Sequence, residues 1–244
     1  MKQNRNSVDK VTVRYLNHAS FLITYRKTSL LIDPFFSGEF FWQDHLEIQL
    51  SKPEITMEDI PRIDAILCTH IHGDHFDRDF VFKLVRRDNC LLIAPFDVIE
   101  LCVKNGFKRK GCLIASAKKS VQISDMSVVP LPNKGSEHEP VCSRLSFVIE
   151  CGGKKVFHSG DSHGYSETWD GYRRKINLAC LWCVKITEII EQLQPDSVFL
   201  HHFEKFSPGD FSCNINVLQM LDTLKKRFST VNFYNPLEED TVVL

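Results

Sequence analysis

No stretch of this chain approaches the roughly 20 consecutive apolar residues of a membrane-spanning helix. The polar start Met1-Lys2-Gln3-Asn4-Arg5-Asn6 has no apolar signal region behind it, so neither a membrane span nor export is expected. Net charge is also scarce: 30 lysines and arginines stand against 31 aspartates and glutamates, a formal charge of -1. That balance gives no general attraction to nucleic acid or to an anionic membrane, so a charged partner must be recognised locally. Internal repeats and low-complexity linkers are missing too. The 244 residues, 43% of them hydrophobic, are therefore read as a single domain over 1–244 with a substantial core. The nine cysteines are an odd number, which with the missing export signal points to a reducing cytoplasm and no disulfides. Cys180-Leu181-Trp182-Cys183 has the spacing of a redox motif. No strand is expected just before it, and it lies in a helix-like apolar pattern, so core packing is the reading taken.

What the chain has in concentration is histidine. Thr69-His70-Ile71-His72-Gly73-Asp74-His75 places three imidazoles and a carboxylate just after the apolar run Ile63-Asp64-Ala65-Ile66-Leu67-Cys68. That run reads as a buried strand delivering its end to a loop. In extended backbone His70 and His72 project to one side and can share a metal, while Gly73 lets the chain turn and carry Asp74 and His75 to a second. Neutral imidazole mixed with carboxylate suits a borderline cation such as zinc.

The run resembles the His-x-His-x-Asp-His signature of the metallo-β-lactamase fold superfamily, and later segments match that family's remaining motifs in order. Pro130 to His138 follows a β-like run and ends in histidine; Val156-Phe157-His158-Ser159-Gly160-Asp161 closes a strand on Gly-Asp; Ser197-Val198-Phe199-Leu200-His201-His202 is a strand ending in two histidines. The resemblance implies that His70, His72 and His138 hold one metal, that Asp74, His75 and either His201 or His202 hold the other, and that Asp161 bridges them. His202 is favoured, because this family's ligand usually lies where the last strand gives way to its loop. The opening Asn17-His18-Ala19-Ser20, followed by Leu31-Ile32-Asp33-Pro34, is similar to ascorbate-6-phosphate lactonase-like and N-acylphosphatidylethanolamine phospholipase D-like members. Glycine often precedes the histidine in those proteins; here Asn17 does, and asparagine tolerates a left-handed turn. His18 either lines the site or is a histidine satisfied in a turn. Asp33 either fixes the tautomer of a ligand imidazole or merely ends a strand before Pro34.

Strands are predicted over Val11–Leu16, Ser20–Tyr25, Leu30–Ile32, Leu91–Ala94, Val121–Ile123 and Met126–Leu131. A hairpin of Leu145–Glu150 with Lys155–His158 turns at Gly152-Gly153. Helices are predicted near Asp79–Arg87 and Val98–Lys104, with two longer ones near Ile176–Leu193 and Val217–Phe228. The four-layer αββα sandwich of the resembled family, an α/β fold, accounts for that order.

The chemistry implied is hydrolysis by a dinuclear metal enzyme of a small ester, lactone or phosphate ester, through a metal-bound hydroxide. Asp74 or Asp161 would orient the nucleophile and receive its proton. The cofactors are two divalent cations, zinc first, with manganese or iron accepted by the same ligands. The partner is a small-molecule substrate; nucleic acid is not expected, and oligomeric state is not legible. A nuclease or phosphodiesterase of the same fold is disfavoured by the missing nucleic-acid-binding domain. An iron-dependent redox or sensing protein is disfavoured by the missing flavin domain.

Gly160-Asp161-Ser162-His163-Gly164 also spells Gly-x-Ser-x-Gly, but the residues after it give little sign of the helix a nucleophile elbow needs. His163 reads as a loop histidine or a leaving-group acid; His158 and His45 have weaker claims. The aromatic cluster Phe35, Phe36, Phe40, Phe41 and Trp42 either covers the site or caps the sandwich edge. The basic run Arg173-Arg174-Lys175 reads as the solvated start of a helix.

Overall fold

A computed structural model describes residues 9–42, 44–51, 55–135, 143–207 and 215–244. Two seven-stranded sheets face each other. One runs in spatial order Thr241–Val243 (β17), Val11–Asn17 (β1), Ser20–Tyr25 (β2), Thr28–Ile32 (β3), Ala65–Leu67 (β6), Leu91–Ala94 (β7) and Cys112–Ile114 (β8). The other runs Asn232–Tyr234 (β16), Ser197–His201 (β14), Leu178–Trp182 (β13), Lys154–His158 (β12), Leu145–Cys151 (β11), Met126–Pro132 (β10) and Val121–Ile123 (β9). A small third sheet joins Phe206–Ser207 (β15), His45–Gln49 (β5) and Glu39–Trp42 (β4). The helices are Arg78–Asp88 (α1), Phe96–Lys104 (α2), Ile186–Leu193 (α3) and Val217–Arg227 (α4).

Period-two alternation explains the layers. Phe21, Ile23, Leu30, Ile32, Ala65, Leu67 and Ile93 from the first sheet meet Phe147, Ile149, Val156, Leu178, Cys180 and Phe199 from the second in one core between the sheets. The alternate residues Leu22, Leu31, Ile66 and Leu92 pack outward onto Val81 and Leu84 of α1 and Val98 and Ile99 of α2. On the far side Val148, Phe157, Ala179, Leu181 and Val198 meet Ile189, Ile190 and Leu193 of α3 and Leu221 and Leu224 of α4. The order is helix, sheet, sheet, helix, the αββα sandwich expected from sequence.

One predicted element is corrected. The span Ile176–Leu193 is not one helix: Leu178–Trp182 is β13, a strand parallel to β12 and β14, and only Ile186–Leu193 is helical. All five residues of β13 are buried, because cores press on both faces, and such a strand has no polar face to display its period. Lys185, at φ 53°, breaks strand from helix. Cys180 and Cys183 are both buried, and burial pushes the Cys180 thiol pKa up. The run Arg173-Arg174-Lys175 is exposed, as expected, but it follows a 3-10 turn over Glu167–Tyr172 and precedes a strand, not a helix.

The topology gathers strand ends. β3 and β6 are parallel neighbours, as are β12, β13 and β14, so their carboxyl ends emerge at one edge, where ligand sites of parallel sheets lie. Asp33 follows β3, His70 to His75 follow β6, Asp161 follows β12 and His202 follows β14. No helix among the described residues is long and apolar enough to cross a membrane.

Candidate metal centre

The loop after β6 turns through His72, whose carbonyl accepts the N–H groups of His75 at 3.0 Å and Phe76 at 2.9 Å. Gly73 is needed here for space: a Cβ would come within 2.7 Å of the Phe40 Cβ, which lets the β4–β5 hairpin lie against the loop. His70, Asp74 and His75 are completely buried, while Ile71, His72 and Gly73 are partly exposed.

Among the described residues, two groups of donor atoms form within 4.8 Å of one another: His70, His75 and Asp161, and His18, Asp74, His75 and His202. His75 Nε2 lies 3.1 Å from Asp161 Oδ1 and 3.5 Å from Asp74 Oδ2. His202 Nε2 lies 3.2 Å from Asp74 Oδ2 and 3.4 Å from Asp161 Oδ2. His70 Nε2 is 3.8 Å from Asp161 Oδ2. His72 belongs to neither group, although its ring lies 4.6 Å from that of His70. His138 lies outside the described residues.

Of the two strand-end histidines, His202 faces this cluster. His201 stacks on His158 at 4.7 Å and 10° and meets Phe21 and Ser159 inside the core. Consecutive strand residues point to opposite sides, and the left-handed backbone of His202, φ 61°, turns its ring onward.

Asp33 accepts from Thr69 N and Thr69 Oγ1, each at 2.7 Å, and from His75 Nδ1 at 2.8 Å. The last bond fixes which nitrogen of His75 faces the cluster, the first of the two roles weighed for this residue. The left-handed turn expected at Asn17 is corrected. Asn17 ends β1 and exchanges amide hydrogen bonds with Gln49 of β5, whereas the left-handed residue is His18, φ 54°. His18 Nε2 lies 3.1 Å from Asp74 Oδ2 and its Nδ1 lies 2.8 Å from Glu204 Oε2.

Glu204, Tyr15 and Arg144 were not legible as site residues, since no motif marks them. Tyr15 donates its hydroxyl to Glu204, and buried Arg144 donates to the Asp161 carbonyl at 3.4 Å. Trp42 meets the His72 ring at 4.9 Å; Trp182 meets His202 at 5.3 Å and His163 at 4.9 Å. Ser162 is no elbow nucleophile: it is buried, receives the Lys134 N–H and donates to the Gly164 carbonyl. His158 bonds the Ala19 carbonyl in the core, and His45 is exposed at the start of β5. The aromatic segment divides: Phe35 and Phe40 are buried with Phe206, while Phe41 is 72% exposed.

Burial works to raise the carboxyl pKa values of Asp74 and Asp161, but His75 beside the first and His202 and His75 beside the second hold both well below the usual range. Burial likewise disfavours charge on His75 and His202, yet Asp161 and Asp74 outweigh it, holding His75 well above its ordinary value and His202 at about 10. His70 is depressed by burial and by His75. The carboxylates that favour a proton on these imidazoles would equally favour a divalent cation in its place.

Among the described residues, four buried polar atoms at this point make no hydrogen bond of good geometry: His70 Nε2, His75 Nε2, Asp74 Oδ1 and Asp161 Oδ1, although His75 Nε2 and Asp161 Oδ1 lie 3.1 Å apart as an ion pair. Buried donors and acceptors without aligned hydrogen bonds are costly unless another group satisfies them. They are nitrogen and oxygen donors of the kind zinc, manganese and iron accept, so the residues fit a metal.

The sequence profile of a β-lactamase superfamily domain matches residues 28–203. A metal-dependent hydrolase of Thermus thermophilus is 26% identical over 208 residues, spanning 81% of this chain and 86% of that protein. A metallo hydrolase of the hyperthermophilic archaeon Ignicoccus hospitalis superposes with a TM-score of 0.72 at 18% identity, covering 96% of this chain and 98% of its own. A diiron β-hydroxylase of Streptomyces venezuelae superposes at 0.69 with 16% identity, covering 97% of this chain and 54% of its own.

Proposed function

The chain belongs to the β-lactamase superfamily, and from that premise we propose that it is a dinuclear metal-dependent hydrolase of a small ester, lactone or phosphate ester. The convergence of buried donor atoms of His70, His75, Asp74 and Asp161 that make no aligned hydrogen bond carries this reading. His70, His72 and His138 would hold one cation, Asp74, His75 and His202 the other, and Asp161 would reach both. Divalent cations held there acidify water near neutral pH and stabilise negative charge developing on a carbonyl or phosphoryl oxygen.

The chain's own groups do the rest. Asp74 and Asp161, kept ionised by their imidazole neighbours, orient the attacking water, and one of the two takes its proton. Asp33 prevents His75 from rotating away. Among the described members of the set His72 is the half-buried one, so substrate enters on its side, where Trp42 offers an apolar wall. No titratable nucleophile of the serine or cysteine type is required, consistent with the tied hydroxyl of Ser162. Zinc is the first choice of metal, and a reducing cytoplasm the compartment.

The test is turnover of a panel of lactones, esters and phosphodiesters before and after chelation. Hydrolysis of one class that chelation abolishes and zinc or manganese restores is expected. Hydrolysis indifferent to chelation would overturn the proposal.

A further inference from the structure

We propose that His18 is a ligand of the cation held by Asp74, His75 and His202, with Glu204 as the carboxylate that orients it. The proposal rests on the dinuclear reading above and adds a residue that the His-x-His-x-Asp-His signature does not contain.

The first observation is a repeated geometry. His75 presents Nε2 to the cluster while Asp33 takes its Nδ1 at 2.8 Å. His18 presents Nε2 to the same Asp74 oxygen while Glu204 takes its Nδ1, also at 2.8 Å. A carboxylate on the remote nitrogen is how metal-ligating histidines are held in one tautomer and orientation. Glu204 is fixed in turn by the Tyr15 hydroxyl and by the Phe203 N–H at 3.1 Å.

The second observation is spacing. Four donors about 2.0–2.1 Å from a tetrahedral zinc stand roughly 3.3–3.4 Å from one another. From Asp74 Oδ2, the Nε2 atoms of His18, His202 and His75 lie at 3.1, 3.2 and 3.5 Å. All four donors fall within one 4.8 Å group. His18 is thus as near to ligand spacing as the two histidines that the motifs supplied.

The third is backbone. His18 at φ 54° and His202 at φ 61° are both left-handed, a conformation unfavourable for a non-glycine residue that persists where the surrounding structure enforces it. The His202 N–H donates to the His18 carbonyl at 3.0 Å, and the two rings lie 3.8 Å apart. An imidazole needed only to finish a turn would not have to be wholly buried, strained and aimed at a carboxylate.

The experiment is cation affinity by competition with a chromophoric chelator, together with the visible spectrum of the cobalt-substituted protein, on wild type, His18→Gln, His18→Ala and Glu204→Gln. Glutamine can still donate a hydrogen bond to Asp74 but offers no imidazole. His18→Gln is expected to weaken one of two cations by about 100-fold and to change the cobalt bands; Glu204→Gln should weaken the same cation by about 10–100-fold. Free imidazole should restore the second equivalent to His18→Ala. If His18→Gln and Glu204→Gln bind two cations as wild type does, with the wild-type cobalt spectrum, His18 only hydrogen-bonds Asp74 and the proposal is wrong. A wild type that binds fewer than two cations instead overturns the dinuclear reading and this proposal with it.

Discussion

The main-chain N–H of His202 donates to the carbonyl oxygen of His18 at 3.0 Å. His18 stands in the turn after β1 of the first sheet and His202 just after β14 of the second, so this bond ties the two sheets together beside the candidate metal centre. It also fixes the direction of His202, and with it the difference between two adjacent histidines.

That difference is measurable. His202→Ala should lose one bound cation and most turnover. His201→Ala should keep both cations and lose about 1–3 kcal/mol of stability, because its ring fills the core against His158 and Phe21. Metal analysis and thermal unfolding of the two variants check this; the reverse pattern would reassign the ligand to His201.

Asp33 acts through His75. Asp33→Asn keeps the side-chain shape but weakens three accepted hydrogen bonds at 2.7–2.8 Å. Metal affinity should fall by about 10–100-fold, read by chelator competition. Unchanged affinity would leave Asp33 as a strand-end residue alone.

Gly160 precedes Asp161 at φ 52°, and a Cβ there would meet the Leu145 carbonyl oxygen at 2.8 Å and Thr69 Cβ at 3.0 Å. Gly160→Ala should therefore cost at least about 1–2 kcal/mol for the left-handed backbone alone and push Asp161 from its position. Loss of turnover greater than the loss of stability explains is the expected result in paired activity and unfolding measurements.

Much of this architecture was legible from sequence where one face of an element is polar or a turn signal bounds it. β2 and β7 begin and end where the pattern predicts, and α1 within a residue of it. β13 reads as helix in the sequence because Leu178–Trp182 is buried on both faces and the spacing of Ile176, Ala179, Cys180 and Cys183 mimics a helical period. β17 is three residues of sheet edge whose pairing with Thr12 to Arg14 comes from the far end of the chain, and local pattern carries no such information. Within the centre, the motif residues His70, Asp74, His75, Asp161 and His202 come together, whereas Glu204 and Arg144 are not legible in the sequence, since each matters through what folding places beside it.

A pH dependence separates from the metal chemistry. Asp88 accepts from Ile63 N at 2.8 Å and from Arg87 Nε and Nη2, each at 2.8 Å. Partial burial works to raise its pKa, but Arg87 and the Ile63 N–H outweigh it and hold it below the ordinary carboxylate value. A depressed folded pKa means stabilisation that is present above the unfolded value, about 3.9, and lost as pH falls through the folded one. Asp88→Asn should cost about 1–2 kcal/mol at pH 7, and its deficit against wild type should narrow as pH drops below about 4. Denaturant unfolding at pH 7 and pH 3 checks this; a deficit that grows on acidification would contradict the sign.

If Asp74 and Asp161 organise two cations, the metal content of wild type and of Asp161→Ala, both purified without added metal, reports it. About two divalent ions per chain in wild type and a clear loss in a still-folded Asp161→Ala are the predicted result. A wild type without stoichiometric metal, or an Asp161→Ala that keeps both ions, would contradict it.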